Sequence, residues 1–368
     1  MTTILIISPE PWKGHFVSKH HYAVQLAQRG YTVLFFGPPD SGGQIWIETL
    51  EGFDNNLHIL HSPKVAIGLR LMPSPIRSYL ESMWLIKIEK LIGKNINIVW
   101  NFENSRFFDF KFAGEKLKIY HQVDLDQIFH PGVAARTADI VIALNIPIFN
   151  ELSKFVTDSK IHIVSHGVYL SELNESSYKK ISQRSPSINA SYVGNLGMTH
   201  IDVSAFVETV RKYSDLVTFN FFGHFDDTMP LRKELSNSEN VVWWGWQEPN
   251  IVAENLKVMD VNIVLYKSRD NVDQLANSHK ILEYLNGGGV VVASYLKDYA
   301  DKQDIIEMID IDGDYPAFFA SIIKNLDFYN SEEKKRLRRD FAMQHSYEKK
   351  LDEIFKIINS NSPNFNLD

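Results

Sequence analysis

Asn277-Ser278-His279-Lys280-Ile281-Leu282-Glu283-Tyr284-Leu285-Asn286-Gly287-Gly288-Gly289-Val290-Val291-Val292 is the stretch on which the fold turns. It reads as a capped helix, a glycine stop and a buried strand. Asn277 or Ser278 is placed to cap the first turn, and Gly287 to end the helix in a left-handed conformation. Val290–Val292 then reads as a strand covered on both faces, as in a parallel sheet. A helix N-terminus presents free amide donors and a partial positive charge, which suits a diphosphate. His279 and Glu283 share one face with Lys280 beside them, and Glu283 lies about 6 Å further along the axis. A carboxylate there can accept both hydroxyls of a ribose while the phosphates rest on the helix end. The same residues also suit an ordinary solvated helix face, and spacing alone leaves both readings open.

The rest of the chain sets the frame for that segment. Its 368 residues exceed one ordinary core, so two domains are expected. Hydrophobic residues at 44% and charged residues at 23% describe a globular protein. A net charge of −7 argues against general nucleic-acid binding. There are no cysteines, which excludes disulfides, thiolate zinc sites and cysteine nucleophiles. Met1-Thr2-Thr3 runs straight into Ile4–Ile7 without a basic flank, and no apolar run approaches about 18 residues, so a cytoplasmic protein without a membrane span is expected.

Short β-rich runs alternate with helical stretches. The first half offers strands at 4–7, 32–36, 96–100, 118–123, 140–144 and 161–164, and the second at 190–193, 217–222, 241–244, 261–265 and 290–293. Between the first two strands Tyr22, Ala23, Leu26 and Ala27 fall at helical spacing and Gly30 closes the helix, which makes a right-handed strand–helix–strand unit. Each half therefore reads as a doubly wound α/β sheet with ligands outside the carboxyl ends of its strands. The serine-rich stretch 171–188 is the expected linker. The domains are expected at 1–170 and 171–344, with a last helix from about 345 to 368 returning to the first. A dinucleotide reading is weak: Ser8-Pro9-Glu10-Pro11-Trp12-Lys13-Gly14-His15 has no Gly-x-Gly-x-x-Gly, and Gly37-Pro38-Pro39 stands where a ribose-binding acid belongs.

The string Lys-Ile-Leu-Glu-Tyr-Leu-x-x-Gly-x-Val-Val-Val resembles the donor-site motif of GT-B glycosyltransferases. Ser165-His166-Gly167-Val168 resembles the turn that ends that family's first domain. Tyr192-Val193-Gly194-Asn195-Leu196-Gly197 is similar to the strand-to-glycine-loop opening of its second domain. Phe221-Phe222-Gly223-His224 and Val241–Trp246 resemble the next two strand ends, and Asp260–Leu265 the strand before the donor helix. The resemblance implies two Rossmann-like domains facing across a cleft. It also implies backbone amides at Gly194 and Asn195 towards the donor phosphates, with Gly223, His224, Ser278 and His279 lining the donor. Trp246 and its loop would stand beside the base, Lys280 at the diphosphate and Glu283 at the ribose. The donor is then a nucleotide sugar, UDP- or GDP-linked, used as substrate and not as cofactor. Two departures stand out. Many retaining members carry a second glutamate where this chain has Leu275, and Met198-Thr199-His200 replaces a basic residue after the glycine loop. The phosphate charge then falls to Lys280, helped by Lys267, Arg269 or His279. The departures fit a branch of bacterial polysaccharide-assembly enzymes resembling xanthan glucuronosyltransferase or teichuronic-acid enzymes, some of which invert.

An inverting transfer needs a base near the acceptor hydroxyl. Tyr120-His121-Gln122-Val123-Asp124-Leu125-Asp126 ends a predicted strand of the first domain, and Asp124 or Asp126 is the candidate, Asp124 preferred; capping of the following helix is the alternative for both. His15 is a further candidate base or a solvent-facing histidine, and Gly14 matches a glycine-rich turn on the acceptor side. Asp124-Leu125-Asp126 also spells the metal motif of the other main glycosyltransferase fold, but the duplicated βα pattern argues against that fold, so no essential metal is expected. His15, His20 and His21 lack zinc spacing, and Asp310–Asp314 reads as a loop and not a calcium site. Of Trp243 and Trp244, alternation buries one.

Residues 64–94 oppose six basic side chains (Lys64, Arg70, Arg77, Lys87, Lys90, Lys94) to two acids (Glu81, Glu89), interleaved with apolar residues that include Trp84. That composition suits a basic amphipathic face on anionic lipid, presenting a lipid-linked acceptor, or a helix pair packed on the sheet with a solvated edge. The expected function is transfer of a sugar from a nucleoside-diphosphate donor to a carbohydrate or lipid-linked glycan. A sugar-nucleotide epimerase on the same fold and a non-catalytic sugar-nucleotide- or glycan-binding subunit are the alternatives.

Overall fold

The computed structural model describes residues 2–13, 16–125, 127–169, 188–267, 279–362, 365 and 367, with the backbone alone at 279. The expected linker at 171–188 therefore lies outside the described residues except for Ile188. So do the candidates Gly14, His15, Asp126 and Ser278, the cap residue Asn277, and Arg269. The chain falls into two compact units: Met1–His166 with Tyr347–Asp368, and Gly167–Ser346.

Unit 1 is built on β1 (Thr3–Ile7), β2 (Thr32–Phe36), β3 (Trp46–Thr49), β4 (Leu57–His61), β5 (Ile98–Asn101), β6 (Leu117–Gln122), β7 (Ile140–Ala143) and β8 (Ile161–Ile163), in the order β3-β4-β2-β1-β5-β6-β7-β8. All neighbours run parallel except β3, which pairs antiparallel with β4 at the edge. The apolar runs become strands because both faces are covered: every residue of β1, β2 and β5 is buried. The β3–β4 pair escapes a reading by apolar runs. β4 reads Leu-His-Ile-Leu-His and β3 is half-exposed, while the turn between them takes positive φ at Gly52, Asp54 and Asn55. The last helix, Tyr347–Asn361, packs on the first, α1 (Ser18–Gln28). Tyr347 stacks on His21 at 4.4 Å, and Arg29 bonds Asp352 at 2.6 Å.

One helix, α2 (Ser74–Ile92), follows a short turn at Leu69–Leu71, where the composition had suggested a helix pair. Its inner face is Arg77, Glu81, Trp84, Leu85 and Ile88. Trp84 is buried, with its Nε1 donating to Ser62 Oγ at 2.8 Å, so it is no part of an outward amphipathic face.

Unit 2 carries β9 (Ile188–Val193), β10 (Val217–Phe222), β11 (Val241–Gly245), β12 (Val261–Val264), β13 (Val290–Ala293) and β14 (Glu307–Met308), all parallel, in the order β11-β10-β9-β12-β13-β14. Counted from β9 this is 3-2-1-4-5-6, the doubly wound order, and its switch point lies between β9 and β12. The opening segment forms a helix, here α3 (His279–Gly287), and the buried strand β13. The left-handed residue is Gly288 at φ +92°, one position later than the sequence suggests. Arg338 fixes this turn. It is 1% exposed, from helix Glu332–Gln344, and donates to Gly288 O at 2.9 Å, Tyr329 O at 2.8 Å and Asn330 Oδ1 at 3.2 Å. Burial pulls its pKa down to about 10, with Glu307 opposing. Arg338→Leu strands these acceptors in a buried site, and a loss of about 3 kcal/mol is expected by urea unfolding; a loss near zero would show that the turn holds without it.

Candidate functional site

Three consecutive strands of unit 2 end in a glycine with positive φ: Gly194 at +138°, Gly223 at +131° and Gly245 at +69°. They are laced together, Gly194 N donating to Phe222 O (2.9 Å), Gly223 N to Gly245 O (2.8 Å) and Leu196 N to His224 O (3.2 Å). A Cβ on Gly223 would stand 2.0 Å from the Gly194 carbonyl oxygen. The amides expected to face phosphate are thus partly committed: Gly194 and Leu196 bond the next loop, and Gly197 bonds Asn195 Oδ1 at 2.9 Å. Gly194 has another use. A Cβ there would stand 2.8 Å from Lys280 Nζ, so its missing side chain leaves room for the ammonium.

Lys280 is 7% exposed and has no acidic partner among the described residues. It lies 4.7 Å from the ring centre of Tyr192 on β9 and 5.3 Å from that of Tyr266 just after β12. Burial works against its charge, and the two tyrosines outweigh burial, so its pKa is raised. The cation therefore sits at the switch point, with a tyrosine from each flanking strand. Tyr284, on the same helix, accepts from Val193 N at 2.7 Å and ties α3 to the end of β9. The roles of Tyr192, Tyr266 and Tyr284 are invisible in the motif because their partners are distant in sequence.

Glu283 is half-buried and without a hydrogen-bond partner among the described residues. Burial pushes its carboxyl up to about 7, and Lys280 pulls the other way without closing an ion pair. His224 and Asn195 are exposed, as is Trp246 at 51%. Neither Trp243 nor Trp244 is fully buried, contrary to the simple alternation. Trp243 stacks on Phe221 at 4.7 Å beneath Arg232, and Trp244 stacks on Phe222 and donates to Asn220 Oδ1 at 3.0 Å. The loop 310–314 carries no metal set; Asp314 instead caps helix Tyr315–Lys324 by accepting from Ala317 N at 3.0 Å.

In unit 1 Asp124 is exposed two residues beyond β6. It does not cap the following helix, which spans Pro131–Thr137 with His130 at the cap position. Lys19, 3% exposed on α1, forms a 2.6 Å ion pair with Glu10. Burial lowers its pKa; Glu10, Asp124 and Glu103 act against that. This buried cation is thus paired with the carboxylate that follows β1 and lies in the field of those that follow β5 and β6. His121 is buried among Trp100, Phe102 and Tyr22, and burial pulls its pKa down to about 3. It is neutral at physiological pH. His20 and His21 are packed against aromatic rings. Among the described residues no three His, Asp or Glu side chains form a metal-ligand group.

The Glu283 shift sets a pH dependence. Well below pH 4.5 the group is protonated folded or unfolded; between 4.5 and about 7 the unfolded chain ionises first, so stability is lost as pH rises. Wild type should therefore lose Tm relative to Glu283→Gln over this range. A difference that stays constant from about pH 5 to about pH 8 rules the shift out.

No family model matches the chain. A protein of Bacillus subtilis (strain 168), described provisionally as a teichuronic acid biosynthesis glycosyltransferase, is 25% identical over 226 residues, 60% of this chain and 56% of that protein. The chain thus matches a little over half the length of this curated relative. Among solved structures, a glycosyltransferase from Rickettsia africae superposes with a TM-score of 0.67 at 13% identity, covering 99% of both chains. HepE of Anabaena, in complex with UDP-glucose, gives 0.66 at 11% identity, covering 97% of this chain and 99% of that one. The fold of this chain is the GT-B glycosyltransferase fold of two doubly wound domains.

Proposed function

We propose that the chain is a glycosyltransferase that moves a sugar from a nucleoside-diphosphate donor to a carbohydrate or lipid-linked glycan acceptor, without an essential metal. The observation that carries this reading is Lys280, a buried cation at the switch point of the second sheet with no acidic partner among the described residues. Tyr192 and Tyr266 keep the ammonium charged in a water-poor site, where its attraction for a diphosphate is strong. Glu283, one turn along the same helix, accepts the ribose hydroxyls. The base stands by the loop at Trp246, with Gly194, Asn195, Gly223, His224, Ser278 and His279 completing the donor side. In the transfer, the acceptor hydroxyl oxygen bonds to the anomeric carbon as the bond from that carbon to the phosphate oxygen breaks. The hydroxyl proton passes to Asp124, and the charge released on the diphosphate falls to Lys280. HepE was solved with UDP-glucose, so UDP is the first nucleotide to try.

The test combines stability with binding. UDP at about 100 times its Kd should add about 2.7 kcal/mol to wild type and nothing comparable to Glu283→Ala. Lys280→Met removes the cation that Tyr192 and Tyr266 hold in its charged form; it should keep the fold, read as a cooperative unfolding transition, yet lose the UDP effect. Asp124→Asn should keep UDP binding while turnover falls about 100-fold or more. No stabilisation by UDP, GDP, ADP, CMP or TDP overturns the donor site.

A peripheral membrane contact belongs to the same proposal. Ile76, Tyr79, Met83, Ile86 and Leu91 form one outward stripe of α2 and are 40–65% exposed; Ile67 and Leu71 just before the helix are 91% and 86% exposed. Lys87 and Lys90 share the stripe, and no acid does, since Glu81 is buried and Glu89 pairs with Lys116. An apolar stripe with only cations beside it matches an anionic bilayer surface. The protein should float with vesicles rich in phosphatidylglycerol but not with phosphatidylcholine vesicles, and Ile76→Ser with Met83→Ser should abolish this. Flotation that ignores lipid charge and salt removes the idea.

A further inference from the structure

Unit 1 holds a cavity of about 380 Å³ between the inner face of α2 and the loops after β2, β4 and β5. Those loops follow the carboxyl ends of parallel strands, where doubly wound sheets bind ligands. The volume suits a single sugar ring with its substituents.

The walls are aromatic and the polar groups are cationic. Phe36, Phe107 and Phe108 line the cavity, and Arg77 lies 4.4 Å from the Phe108 ring centre. Phe107 is held at φ +50°, a backbone region that bulky side chains rarely take. Asn101 Nδ2 clamps it there, donating to the carbonyls of Phe107 at 3.1 Å and Arg106 at 3.4 Å. Arg106 in turn donates to the carbonyls of Ser8 and Gly37, which locks the ends of β1 and β2 to this loop. Strain so constrained is characteristic of a shaped binding wall.

Among the described residues, two buried groups on the cavity lining each have an atom with no hydrogen-bond partner. Arg77 is 7% exposed and pairs with Asp109 through Nη2 at 3.1 Å, while its Nε has no partner. Glu81 is 1% exposed, and its Oε2 has no partner. Burial pushes the Glu81 carboxyl up to about 8, so near neutral pH it is a proton donor and does not cancel the cations. Lys64 and Arg70 are exposed on the same lining and have no acidic partner among the described residues. The cavity is therefore cationic at one end, has a neutral carboxyl within, and offers ring faces for stacking.

We propose that this cavity is the acceptor subsite and that it takes a sugar bearing an anionic group, a carboxylate or a phosphate. Lys64, Arg70 and Arg77 would meet the anion, Glu81 a sugar hydroxyl, and the phenylalanines the ring. The assignment as acceptor rests on the transferase reading above; the preference for an anionic sugar does not.

The test titrates the full chain calorimetrically with methyl β-D-glucuronoside, glucose 6-phosphate and neutral methyl β-D-glucoside, and separately with UDP. At least one anionic sugar should bind about tenfold or more tightly than the neutral glucoside, and which of the two does so separates carboxylate from phosphate. Lys64→Ala with Arg70→Ala changes only exposed side chains, so folding is retained; it should weaken the anionic sugar about fivefold or more and leave UDP unchanged. Ala66→Trp, which fills the cavity, should abolish sugar binding with UDP again unchanged. If UDP binds but the three sugars bind alike or not at all, the cavity proposal fails and the donor reading stands. If an anionic sugar binds selectively and no nucleotide does, the donor reading fails and the cavity keeps its selectivity.

Discussion

Two loop backbones in the second unit approach so closely that no side chain fits between them. Gly223 rests against the carbonyl of Gly194, where a methyl group would stand 2.0 Å from the oxygen. This contact aligns the ends of β9 and β10, and the laced hydrogen bonds to Gly245 extend the alignment to β11. With that platform set, the space above Gly194 admits the ammonium of Lys280, and Tyr192 and Tyr266 stand on either side of it. A substitution at either glycine would act on a charged site through sterics alone, without touching a ligand.

Much of this was legible before any coordinates. The apolar runs that became β2, β10 and β13 match the observed strands to the residue, because strands buried on both faces have continuous signals. The glycine loops and the Lys280–Glu283 pair also stand out, since each is local. What stayed hidden depends on contacts across the sequence. The edge pair β3–β4 is too polar to register, and the composition of residues 64–94 leaves open which side of its helix Trp84 takes, because composition does not give rotational phase. Lys19 gives no signal at all; its meaning comes from Glu10, Glu103 and Asp124, which three different strands bring near it. The close packing of Gly223 on Gly194, and the bonds that lace the glycine loops together, also lie across the sequence and leave no mark in any one loop.

The helix α2 separates two environments within one element. Inward it presents Arg77 and Glu81 to an aromatic cavity; outward it presents an apolar stripe with lysines. The basic excess of residues 64–94, a single number in the sequence, is therefore divided between a paired interior and an unpaired surface. The interior arginine needs Asp109, whereas the surface cations have no acidic partner among the described residues. Only the second group is free to respond to salt, because screening acts on exposed charges and hardly on buried ones.

The last helix belongs to the first unit although nearly half of the chain intervenes. In topological terms the second unit is an insertion within the first: one is contiguous, and the other is closed by residues made after it. During synthesis the second unit has its whole sequence available while the first still lacks the helix that covers His21 and Tyr31. A nascent first unit therefore leaves apolar surface uncovered until the helix Tyr347–Asn361 emerges. Any change that delays docking of Tyr347 and Phe355 would be felt as a defect of biosynthesis before it was felt as a loss of equilibrium stability.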